Sequence, residues 1–195
     1  MDSITQLLLQ QLSSGGVSKI SKKIGVDETT ATSALAMALP LLVSALAKNS
    51  AKPEGAQALQ EALVKDHDGS ILENLSGYLE KPETANGSGI LSHVLGTQQP
   101  VVANRLAKTT GMKSDQIIQL MQIVAPLIMG ALGKKQHQNG LDPKGVSDLL
   151  GTEKQKTQQA APDLMGTLNT MLDADGDGSA LDDIMGFAGK LFGKK

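Results

Sequence analysis

The sequence predicts an all-α protein, and three observations carry that prediction. The apolar residues are nearly all Leu, Ala, Ile, Val and Met, while one Tyr, two Phe and no Trp are present. Leu, Ala, Met, Gln and Lys are strong helix formers, and the aromatic types that strands prefer are scarce. No strand-like alternation of useful length appears, whereas apolar residues recur at helical spacing in segment after segment. At 195 residues the chain is long enough for one large or two small domains with a buried core.

Taken in order, the elements read as follows. A Leu-rich helix opens the chain. A helix over 16–24 places Val17, Ile20 and Ile24 on one face, and Gly25 closes it, because a left-handed residue after a helix carries no Cβ penalty when it is glycine. Asp27 is positioned to cap a long helix over 28–48. A short helix over 54–65 follows, then a turn at 66–70 and a helix over 71–80. The stretch Pro82 to Gly89 is rich in turn residues and reads as a loop, ahead of a short helix over 90–95 ended by Gly96. A helix over 100–110 carries Val102, Leu106 and Ala107 and stops at Gly111. Ser114 is the expected cap of a second long helix over 115–134. Asp142 then caps a helix over 141–150, with Pro143 at its first position. Residues 151–161 are polar and read as a linker, followed by a helix over 162–172, an Asp/Gly turn and an amphipathic helix over 180–192.

Two parts of this order repeat. Gly25 and Gly111 are 86 residues apart, and so are Pro40 and Pro126, with Leu39-Pro40-Leu41-Leu42 aligning on Ala125-Pro126-Leu127-Ile128 without a gap. The expected architecture is therefore an orthogonal helical bundle built from two helix-turn-helix-like units. Each has a central helix that its proline kinks, since proline lacks an N–H and crowds the carbonyl four residues back. The boundaries expected are 1–98 for the first unit, 99–155 for the second, and 156–195 for a C-terminal helix, Asp-rich loop and amphipathic helix.

Composition also narrows function. The net charge is −2 with both signs scattered, so no basic field exists to draw in nucleic acid or anionic lipid. Without cysteine there is no disulfide framework, thiolate metal site or thiol nucleophile. The start, Met1 to Thr5, lacks the charged and apolar regions of a signal peptide. The longest apolar stretch, 34–47, falls short of a bilayer span. A cytoplasmic protein with no membrane span is the expectation.

The opening Leu-rich helix, the Gly25 turn, the Leu39-Pro40-Leu41 run and the segment Gly89-Ile90-Leu91-Ser92-His93-Val94-Leu95-Gly96 resemble those of the bacterial domain of unknown function 937. So does the ending Asp175-Gly176-Asp177-Gly178-Ser179 with Asp182-Asp183-Ile184. That family is similar to the YidB-like helical proteins. The resemblance implies an all-helical fold and a bacterial source, and it brings no catalytic residues with it.

Catalytic motifs are not found. His67, His93 and His137 fall in separate segments without the i,i+4 spacing of a metal or base pair, and the segment around His93 is the one place that invites a closer look. Asn86-Gly87-Ser88-Gly89 lacks the preceding strand and the lysine of a phosphate loop. A non-enzyme is expected. DNA binding through the helix-turn-helix-like unit is the alternative, weakened because the exposed start of the second helix, Asp27 to Ser33, holds no Arg or Lys.

The strongest chemical motif is C-terminal. Asp173, Asp175 and Asp177 stand at positions 1, 3 and 5 of an EF-hand-like loop, with Gly178 at position 6 and Ser179 at position 7. Ile184 stands where such loops carry a bidentate Glu, and Asp182 and Asp183 are the substitutes within reach. Two readings stay open: a Ca²⁺ loop made of Asp173, Asp175, Asp177, Ser179, Asp182 and Asp183, or a capping turn with Ser179 as cap and Asp182 three residues on. Calcium is the single cofactor expected. The function expected is that of an interaction or scaffold module working through an unidentified protein partner or self-association.

Overall fold

The computed structural model describes residues 3–160 and residue 166, and among these the chain is helical with no strand. The helix expected over 162–172, the Asp-rich loop and the helix over 180–192 lie outside the described residues.

Helix α1 (Ile4–Ser13) starts at Ser3, whose hydroxyl accepts from Gln6 N at 3.0 Å while its own N–H donates to Gln6 Oε1 at 3.3 Å. Ile4, Leu8 and Leu12, four apart, form its buried stripe. Helix α2 (Gly16–Ile24) ends at Gly25 with φ 71°, the left-handed conformation expected there. Asp27 caps α3 (Glu28–Ser50), its carboxylate accepting from Thr30 N at 2.9 Å. Helix α4 (Pro53–Asp66) agrees with the sequence reading to within a residue at each end.

Four expectations are corrected. The helix over 71–80 breaks at Asn74 into α5 (Ser70–Glu73) and α6 (Leu75–Glu80), because the Asn74 side chain turns back to accept from Gly77 N and starts a new helix. The loop at 82–89 is instead a 3₁₀ turn (Pro82–Thr84) and the start of α7 (Gly87–Leu95), with Asn86 accepting from Gly89 N at 3.0 Å. A second 3₁₀ turn (Gly96–Gln98) leads into α8 (Gln99–Thr110), which Gly111 closes at φ 73°. Lys113, not Ser114, holds the cap position of α9 (Ser114–Asn139). Its N–H donates to Gln116 Oε1 at 2.9 Å, and the Ser114 hydroxyl is drawn away to Asn104. Residues 151–160 are no linker. They continue α10 (Pro143–Ala160), since Val146, Leu150 and Glu153 share a buried face that polar composition conceals.

Pro40 and Pro126 sit inside α3 and α9, which run on through them. These two helices are buried over most of their length and touch each other. Around them pack α1, α2, α4, α7 and α8, with α5 against α9 and α10 against α3 and α4. One continuous core results, from Ile4 to Leu150.

Candidate functional site

Glycines decide how closely the helices around this core approach. On α9, Gly133 faces the turn after α4 so tightly that a Cβ there would fall 1.5 Å from the His67 carbonyl oxygen. Gly87 meets α9 in the same way: its Cβ would lie 2.0 Å from the Gln122 carbonyl oxygen. That carbonyl is the one Pro126 leaves without a helical partner, so the proline and the glycine together let α7 seat against α9. Gly55 at the start of α4 leaves room for the Asn49 carbonyl of α3, 2.1 Å from where its Cβ would be. The Asn49 amide in turn donates to the His93 and Val94 carbonyls at 3.3 and 3.0 Å, tying the end of α3 to the end of α7.

Between the elements so held, α3, α4, α7 and α9, a cleft of about 600 Å³ remains. Its floor is apolar: Leu46, Leu59, Ala62, Ile90, Val94 and Met129. Leu46, Val94 and Met129 are buried, and the other three are half-buried. Its rim is charged and mixed, with Lys52 and Glu54 at one end of α4 and Asp66 at the other. The size falls in the range of roughly 300–1,000 Å³ in which proteins hold ligands or partner side chains.

His67 and His93, which the sequence places in unrelated segments, line this one cleft. The His67 ring is half-buried, and loss of water holds its pKa below the ordinary imidazole value, against the pull of Asp66 and Asp68. The His93 Nδ1 lies 3.0 Å from the Gly89 carbonyl; a carbonyl only accepts, so Nδ1 is the donor in that bond. His137 lies in the last turn of α9 and does not line the cleft. Among the described residues no three His, Asp or Glu side chains gather as a metal site. The candidate ligands Asp173, Asp175, Asp177, Ser179, Asp182 and Asp183 lie outside the described residues.

A second hollow of about 430 Å³ lies on the far side of Asn86, and its walls are mixed: Lys23, Glu83, Gln119 and Gln122 beside Ile24, Pro82 and Ile123. The starts of α3 and α9, where a recognition helix would read DNA, expose Glu28, Thr29, Thr32, Asp115 and Gln119. Sequence reasoning missed two features outright. One is the meeting of His67 with His93, which needs the topology. The other is Glu153, 1% exposed, whose carboxylate accepts from Ile4 N at 2.5 Å and from Lys156 Nζ at 3.0 Å.

Fold and cleft together define an all-helical protein with a preformed apolar recess at its surface. The model of a bacterial family, described as "Bacterial protein of unknown function (DUF937)", matches residues 6–135, and the chain belongs to that family. Every residue lining the cleft falls within the match, and α10 follows it. No curated protein and no solved structure matches the chain.

Proposed function

We propose that this protein is a non-enzymatic interaction module that receives the apolar face of an amphipathic helix in the cleft between α3, α4, α7 and α9. The observation that carries this reading is the open recess itself, whose floor brings six apolar side chains, Leu46, Leu59, Ala62, Ile90, Val94 and Met129, from four helices to one place. Among the described residues Val64 is the only large hydrophobic side chain left exposed. An open recess with an apolar floor between packed helices is how helix-in-groove receptors are built. The two glycine-hinged pairs, α2 with α3 and α8 with α9, support a scaffold made by duplicating one helix-turn-helix-like unit and packing the copies as an orthogonal bundle. In this reading the supersecondary unit serves packing, and the protein works in the cytoplasm.

Ca²⁺ is the modulator we assign, held by the aspartates of the loop at 173–183.

Titration of the full chain with anilinonaphthalene sulfonate, a dye that brightens in apolar recesses, tests the cleft. Saturable enhancement is expected, and Ala58→Arg should weaken it about tenfold or more, because Ala58 lines the cleft from an exposed position where arginine keeps the helix. Ala62→Arg, deeper in the floor, should do the same. Enhancement unchanged in both variants overturns the reading.

A further inference from the structure

We infer that occupancy of the cleft is coupled to a proton on His67: an apolar surface seated there is held while the imidazole is neutral and released when the ring takes up a second proton. The inference rests on the reading of the cleft given above and names its regulation.

The fold sets an ionisable ring among apolar neighbours and keeps it there. His67 is the first residue beyond α4, and it lines the cleft together with Leu59, Ala62 and Met129. Its backbone has little freedom to carry it away. The His67 carbonyl lies against Gly133 of α9, where a Cβ would fall 1.5 Å from the oxygen, and a Cβ at Gly69 would lie 2.7 Å from that of Lys134. Between these two close approaches the turn is pinned to α9. The ring is half-buried with the cleft open, so it keeps part of its water. An occupant that covers the floor removes that water.

A neutral imidazole loses little when apolar surface covers it. An imidazolium loses its hydration, and a charge in apolar surroundings is tolerated only when it is paired. The countercharges beside His67 are poorly placed for that task. Asp66 and Asp68 favour its protonation, yet both are exposed, and the Asp68 carboxylate already accepts from Ser70 N at 2.9 Å. Desolvation outweighs the two even in the open cleft. The other ionisable groups on the elements around the turn are Lys65 of α4, Lys134, Lys135 and His137 of α9, His93 of α7 and Lys48 of α3. None of these is a carboxylate. Glu54 lines the cleft with Lys52 at the far end of α4, about 20 Å away along the helix axis.

The direction of the coupling follows from the same balance. With the cleft open the His67 pKa lies below 6.5, and covering the ring lowers it further, so between the two values the occupied protein holds fewer protons. Affinity is greatest above the open-cleft value and falls as the pH drops through it. The fall levels off once the covered ring is protonated as well.

The dye N-phenyl-1-naphthylamine brightens in apolar recesses and is uncharged, so it adds no charge of its own to the balance. In the full chain, over the pH range in which far-UV circular dichroism is constant, its dissociation constant should rise about threefold or more between about pH 7.5 and 5. In His67→Asn that rise should be absent, whatever the affinity of the variant at the higher pH. Linkage supplies a second test that needs no variant: followed by NMR, the His67 ring protons should titrate at lower pH with saturating dye than without it. Binding that Ala58→Arg weakens but that is constant with pH, or equally pH-dependent in His67→Asn, overturns the inference and leaves the cleft reading standing. An imidazole whose titration the dye does not move does the same. No binding, or binding that neither Ala58→Arg nor Ala62→Arg weakens, overturns the two together.

Discussion

His67 shows how burial of one ring becomes a property of the whole protein. Desolvation lowers its pKa in the folded state, so between that value and the unfolded value of 6.5 the unfolded chain holds more protons. The stabilisation is therefore fully present above pH 6.5 and is lost as the pH falls through the folded pKa. Urea midpoints should drop between about pH 7 and 5, and His67→Asn should flatten that part of the profile. A slope that survives the substitution would trace the loss to another group. Asp175 and Asp177 bear on the calcium reading at the same scale. Three carboxylates within five residues of sequence repel one another unless a hard cation screens them, and the proposed Ca²⁺ loop would draw on Gly176 and Gly178 for its sharp turn. With Ile184 in place of the bidentate Glu, the expected affinity is weak, in the range of roughly 10⁻⁵–10⁻³ M. Isothermal titration of the metal-free protein with Ca²⁺ should show this heat and lose it in the double variant Asp175→Ala, Asp177→Ala. Silence in the wild type at millimolar Ca²⁺ leaves the capping turn.

At the scale of elements, α10 teaches most. Its second half holds Thr152, Glu153, Lys154, Gln155 and Lys156, a run whose polarity reads as linker, yet Val146, Leu150 and Glu153 are buried at helical spacing on α3 and α4. The buried glutamate masks the pattern, because a periodicity search credits only apolar residues. Its two acceptor bonds explain why burial is tolerated. Glu153→Ala should cost about 1–3 kcal/mol in urea unfolding, as it strands the Ile4 N–H, with Glu153→Gln costing less since it retains an acceptor oxygen. A loss below a few tenths would show that water caps α1 equally well. Elsewhere, local chemistry was a good guide. Gly25, Asp27, Gly111 and Asp142 each do what their residue types suggest, the last accepting from Gly145 N at 2.7 Å. Side chains competing for the backbone were not legible: Asn74 and Asn86 begin helices in what reads as helix interior and loop. The cleft was least legible of all. It depends on which segments meet, and that is set by close approaches at Gly55, Gly87 and Gly133 with no local signature.

At the scale of the whole molecule, α3 and α9 are long and apolar enough by length and composition to cross a membrane. The uninterrupted apolar stretch read from the sequence, 34–47, is shorter than either helix. Their most apolar windows are 72% and 78% buried within the bundle, so the surface that a bilayer would solvate is already covered by neighbouring helices. Burying a Leu or Ile side chain is worth about 1.5–3 kcal/mol, and these two helices supply much of the core on which every other element rests.

The bond between Glu153 and the first turn of α1 has a consequence in time. The acceptor stands 149 residues downstream of the amide it caps. At ribosomal speeds of about 5–20 residues per second, the start of α1 is made roughly 7–30 s before Glu153 is added, and the exit tunnel delays their meeting further. For most of that interval the nascent chain carries the α3 segment, and for the last part of it the α9 segment as well, without the helix that finally covers one side of α3. A chaperone that shields apolar segments at the tunnel mouth would find its longest hold on this protein there, and release would coincide with the arrival of α10.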